Sequence, residues 1–108
     1  MTDSTLDHAL RALADGNRRA ILGVIRHSPR TVGAVADDLG LSQQTASHHL
    51  RVLLTAGLVT ETRVGPRHLF AVHADGFEAV RSYLDGFWPA KLAALRDAVE
   101  SGLGRDDA

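Results

Sequence analysis

No cysteine occurs among the 108 residues of the chain. That excludes disulfides and every metal site built on thiolate, and by default it points to the cytoplasm. No uninterrupted apolar run approaches the ~20 residues of a membrane span. The opening MTDSTLDHALRALADG lacks the basic flank and apolar centre of a signal peptide. Also missing are a glycine-rich phosphate loop, a pair of carboxylates and any nucleophile–base pattern, so neither an enzyme nor a cofactor is expected.

A surplus of positive charge is missing too. The formal net charge is −1, which argues against a nucleic-acid partner until its distribution is considered. Residues 17–73 carry seven Arg against Asp37, Asp38 and Glu61, a balance of +4, while residues 1–16 sum to −2 and residues 74–108 to −3. The cationic middle is where an electrostatic footprint would sit.

What is present reads mainly as helix. Leu6, Leu10, Leu13 and Ala14 fall at helical spacing. Asp15 is a suitable N-cap for a second helix carrying Ile21, Val24 and Ile25, which Pro29 brings to a stop. Thr31 can cap a third helix with Val32, Val35, Ala36 and Leu39 on one side, and Gly40 can end it in the left-handed region. Ser42 then caps a fourth helix that Gly57 closes. Two short helices joined by a glycine-containing turn of three to four residues form the helix-turn-helix pattern. LVTETRV and RHLFAVH follow as strands around a Gly-Pro tip, with Phe70 expected in the core. From Asp75 to Ser101 the apolar spacing predicts a long helix, kinked or broken near Gly86 and Pro89.

The segment LSQQTASHHLRVLLTAGLV (41–59) carries the chemistry. At about 100° per residue, Leu50, Leu53 and Leu54 gather near Ala46, while Gln44, Ser47, His48, Arg51 and Thr55 take the opposite side. His48 and His49 point roughly 100° apart, so the pair cannot chelate one ion; helical metal pairs need a spacing of three or four. The polar side has no Asp or Glu. Gln suits adenine, Arg suits guanine and Ser suits either base. His49 sits at the edge of the core, where it holds the helix. Arg63 and Arg67 bracket the hairpin tip, within reach of phosphates or a minor groove.

Three separated stretches, ALADGNRRAIL, the helix-turn-helix from Thr31 and TRVGPRHLFAV, together resemble the ArsR (ArsR/SmtB) family of bacterial transcriptional regulators, from about Leu6 to Val72. The resemblance implies a winged helix-turn-helix fold: mainly α with a β-hairpin wing, in the order α-α-α-α-β-β-α. It implies a homodimer that represses its own operon until a ligand releases the DNA. Ser42, Gln43, Gln44, Thr45, Ser47, His48, His49 and Arg51 then fall on the recognition helix, and Arg63 and Arg67 on the wing. The family dimerises through its first and last helices, which here offer Leu6, Leu10, Leu13, Leu84, Phe87, Trp88, Leu92 and Leu95. One domain is expected over 1–101, with the helix-turn-helix at about 31–56, the wing at about 58–73, dimerisation helices at about 4–14 and 75–101, and a flexible tail at 102–108.

The family's metal sensors use cysteines, or Asp and His on the last helix. Here only His73, Asp75 and Asp85 offer a faint counterpart, so no metal is expected. The expected partners are double-stranded DNA, a second copy of the chain and an unidentified small-molecule effector, with no membrane. Two alternatives stay open: a winged helix used for protein–protein contact, and a metal-responsive repressor with an atypical site between subunits.

Overall fold

The computed structural model describes residues 4–88 and 90–102, and of residues 90–93 the backbone alone. Four helices come first: α1 (Thr5–Leu13), α2 (Gly16–Ile25), α3 (Val32–Leu39) and α4 (Gln43–Thr55). A hairpin of β1 (Val59–Val64) and β2 (Arg67–Val72) follows, then a 3-10 turn (Ala74–Phe77), α5 (Glu78–Asp85) and α6 (Ala90–Ser101).

Local chemistry starts and stops these helices. Ser4, Asp15, Thr31 and Ser42 each turn a side-chain oxygen onto first-turn amides, satisfying donors that have no partner within the helix. Gly40 ends α3 at φ 66°, a conformation that costs glycine little. The hairpin tip is a two-residue loop with Gly65 at φ 61°. Pro66 is locked to negative φ, so only a turn with its positive-φ residue first fits; that is the II′ geometry that matches strand twist.

One core joins these elements, with Ile21, Ile25, Val35, Leu50, Leu53 and Leu58 fully buried at its centre. Phe70 is buried with them, as the strand alternation requires. It is also tied from outside the hairpin, because Arg30 and Phe70 exchange both backbone hydrogen bonds, at 3.0 and 2.8 Å. The segment before α3 therefore acts as a one-rung third strand that fixes the base of the hairpin against the helices.

A second fixing point lies where the hairpin leaves for α5. His73 N–H donates to the Leu58 carbonyl, and the backbones of Gly57 and Gly76 approach closely. Gly57 adopts φ 81° there.

The long terminal helix is broken rather than continuous. It opens with a 3-10 turn, α5 ends at Asp85 with Gly86 as its cap, and α6 starts at Ala90. Pro89 lies outside the described residues, as do residues 103–108 of the tail expected at 102–108 and the side chain of Leu92.

The N-terminus of α2 anchors α4. The Asp15 carboxylate accepts from the amides of Asn17 and Arg18 at 2.8 and 3.2 Å. The Arg18 guanidinium donates to the carbonyls of Ala12 and Arg11 and to Nδ1 of His49, 3.3 Å away. A guanidinium has no acceptor to offer, so Nδ1 accepts and the ring proton of His49 lies on Nε2.

Two outcomes follow from these contacts. In Gly76→Ala the new Cβ would stand 1.9 Å from the Gly57 carbonyl oxygen, so backbone must shift. We expect a loss of about 1–3 kcal/mol in urea unfolding, typical of overpacking. The Arg18 and Asn17 amides hold the Asp15 carboxyl below its ordinary pKa. A depressed folded pKa gives stability that is present above the ordinary carboxylate value and is lost as pH falls through the folded one. Wild type should therefore melt higher than Asp15→Asn near neutral pH, and the gap in thermal scans should close on acidification.

Candidate nucleic-acid interface

Three residues, Gly40 to Ser42, connect α3 to α4. The Ser42 hydroxyl accepts from the Thr45 amide at 3.0 Å and donates to Thr45 Oγ1 at 2.9 Å, which sets the first turn of α4. Ala46, Leu50 and Leu53 then face the core. His49 is 8% exposed and lies with them, held by Arg18, so its side chain is not on the outer face where the other polar residues of α4 gather.

That outer face is open. Ser42, Gln43, Gln44, Thr45, His48 and Arg51 are exposed and Ser47 is half-buried. No acidic residue occurs anywhere in α4. Gly33 of α3 lies close beneath Gln43: a Cβ there would approach the Gln43 amide nitrogen to 3.2 Å. The start of α4 thus packs tightly onto the helix before it.

In the hairpin, Val64 pairs with Arg67 and Arg63 with His68. Residues opposite each other share a face, so Arg63 and Arg67 lie on opposite faces of the ribbon, and both are exposed. Glu61 is the one acid of the two strands, and His68 Nδ1 contacts it at 2.5 Å. Asp38 of α3 is likewise taken by Arg30, at 2.9 Å. Of the three carboxylates set against the seven Arg, Asp38 is thus paired with Arg30 and Glu61 contacts His68, and the balance of +4 is unchanged by the Arg30–Asp38 pair.

The apolar residues of the terminal helices divide. Leu13 packs against the core and Leu6 is half-buried. Leu10, Leu84, Phe87, Trp88 and Leu95 are exposed, Phe87 by 63% and Trp88 by 50%. Tyr83 stands edge-on to Phe87 with ring centroids 5.0 Å apart, itself exposed. His73 and Asp75 are exposed, and Asp85 accepts from Arg81. Among the described residues no group of three His, Cys, Asp or Glu is arranged to hold a metal ion.

Sequence reasoning missed two features. The Arg18–His49 contact spans 31 positions, and no linear pattern signals it. A groove between α1 and α4, with Arg11, Arg18, His48 and Arg51 around it, depends on how the two helices cross.

Residues 13–62 match the family model described as a helix-turn-helix domain. The chain is 41% identical over 95 residues to the HTH-type transcriptional regulator Rv2034 of Mycobacterium tuberculosis, covering 88% of this chain and 89% of that one. Among solved structures it is similar to the ArsR-like transcriptional regulator from Rhodococcus sp. RHA1, with TM-score 0.71, 26% identity and coverage of 90% and 94%. It is also similar to the homodimeric winged helix-turn-helix DNA-binding domain Mb0332 of Mycobacterium bovis, with TM-score 0.64, 27% identity and coverage of 82% and 94%. With a carboxylate-free recognition helix, an arginine-bearing hairpin and relatives that are transcriptional regulators, the chain belongs to the ArsR (ArsR/SmtB) family of winged helix-turn-helix DNA-binding transcriptional regulators.

Proposed function

We propose that two copies of the chain bind an imperfect palindrome in a promoter, that of its own operon included, and repress transcription without responding to a metal. The observation that carries this reading is the exposed face of α4, polar throughout and without a carboxylate. Gln43, Gln44, Ser47 and Arg51 have the donors and acceptors that base edges require, while Ser42, Thr45 and His48 are suited to phosphates and flanking bases. Arg63 and Arg67, on opposite faces of the hairpin tip, would straddle the adjacent backbone or enter a minor groove. His49 serves indirectly, by fixing the rotation of α4. The functional segments are a helix-turn-helix at about 31–56, a wing at about 58–73 and dimerisation helices at about 4–14 and 75–101.

A single winged helix offers few base contacts, and a dimer doubles them across successive turns of the duplex. Exposed Leu10, Leu84, Phe87, Trp88 and Leu95 supply an apolar surface for that dimer, with Leu6, Leu13 and Leu92 as further candidates. Aromatic anchors of this kind concentrate binding energy. The homodimeric Mycobacterium bovis domain supports the same assembly.

Fluorescence anisotropy on a duplex from the chain's own upstream region tests the recognition face. Arg51→Ala should weaken specific binding by about 1–3 kcal/mol, a factor of roughly 5 to 150, and wild-type affinity should fall steeply with salt. Unchanged affinity and selectivity would remove Arg51 and its face from the interface. Sedimentation tests the assembly. Phe87→Ser with Trp88→Ser alters exposed positions only, and should raise the dimer dissociation constant by about 30-fold or more, the effect of one hot spot of 2 kcal/mol. A wild-type chain that sediments as a monomer at micromolar concentration contradicts the dimer.

A further inference from the structure

The groove between α1 and the C-terminal half of α4 has a volume of about 360 Å³, within the range of small-molecule sites. Its floor is apolar, made by Ala12, Val52 and Ala56. Its rim carries three arginines, Arg11 and Arg18 on one side and Arg51 on the other, with His8 and His48 beside them; among the described residues no Asp or Glu lines it. Arg18 is committed to two carbonyls and His49. The guanidinium groups of Arg11 and Arg51 donate to no partner among the described residues.

Two unengaged guanidinium groups above an apolar floor recognise a particular chemistry. An inorganic anion would answer the charges and leave the floor wetted. A neutral hydrocarbon would cover the floor and leave the charges unanswered. An organic carboxylate satisfies both, since guanidinium meets carboxylate in charge-assisted, often bidentate hydrogen bonds while the apolar body covers the alanines and valine.

We propose that this groove binds a small organic carboxylate with a flat apolar body, and that its occupation opposes DNA binding. The coupling rests on the reading of α4 given above, because His48 and Arg51 belong both to the groove and to the face proposed to meet the duplex. A carboxylate that draws Arg51 toward Arg11 takes it from the base edges and sets a negative charge beside the phosphates. Linkage requires the effect to be mutual: bound duplex weakens the carboxylate by the same factor.

The experiment uses the intact protein with 2-naphthoate, its neutral amide and inorganic phosphate as probes, at matched ionic strength. Calorimetry without DNA reads the groove alone, and duplex anisotropy without a probe reads DNA binding alone. We expect 2-naphthoate to bind at least ten-fold more tightly than either the amide or phosphate, and at saturation to weaken the duplex at least ten-fold. Arg11→Gln, at an exposed position outside the proposed DNA face, should weaken 2-naphthoate about ten-fold and leave unliganded duplex affinity within two-fold. Arg11→Lys should recover most of the loss. Equal binding of acid and amide, tighter binding of phosphate, or indifference to Arg11→Gln overturns the site. Binding of 2-naphthoate that leaves duplex affinity unchanged overturns the coupling. A protein that takes 2-naphthoate but never binds the duplex instead sinks the reading of α4, and the coupling with it, while the site stands.

Discussion

The rotation of α4 about its own axis decides what this molecule presents to its surroundings. A helix packed on a core can turn only by exchanging buried side chains for exposed ones. Advancing α4 by one residue would swing Ala46, Leu50 and Leu53 about 100° out of the core. Each leucine brought to water costs roughly 1.5–3 kcal/mol, so the native rotation is strongly preferred. His49 refines it, since its ring meets Arg18 and Arg18 is anchored to the carbonyls at the end of α1. What faces outward on α4 is thus dictated by what faces inward.

Charge follows the same segregation. The engaged carboxylates, Asp38 with Arg30 and Glu61 with His68, lie around the recognition unit but off the face of α4. Exposed pairs of this kind add little to stability. Arg30 and Asp38 offset each other, Arg51, Arg63 and Arg67 stay open on the surface beside them, and a local field can be positive on a molecule whose net charge is −1. On α5, Arg81 bridges Glu78 and Asp85.

The elements that were legible in the sequence are those governed by local rules. Asp15, Thr31 and Ser42 as caps, Gly40 as a left-handed stop, the Gly65–Pro66 tip and buried Phe70 all follow from interactions within a few residues, and each is found where spacing and stereochemistry place it. The break of the terminal helix was legible as a break at Gly86, while its 3-10 opening was not; there the close approach of Gly76 to Gly57 governs, a tertiary demand. The polar face of α4 could be read from periodicity, but the inward turn of His49 was only half visible. Helical angle put it at the edge of the core, and a partner 31 residues upstream completes its burial. The Arg30–Phe70 bridge and the α1–α4 groove depend on long-range crossings that no one-dimensional pattern encodes.

Of these long-range features, the groove places α1 beside α4. Helix α1 contacts α5 and also forms a wall of the groove with α4. In the proposed dimer, α1 and α5 would set the separation of the two recognition helices, and a palindrome demands that separation to match ~34–36 Å, one turn of duplex, or a multiple of it. Helix shifts of only 1–2 Å at subunit interfaces are enough to change binding in switching proteins. An occupant wedged between α1 and α4 therefore has two routes to the same end. It can withdraw Arg51 from the duplex directly, and it can displace α1 so that the second recognition helix no longer meets its half-site. The two routes differ in what they need: the first operates within one protomer, and the second requires the partner, so a monomeric variant would retain only the first.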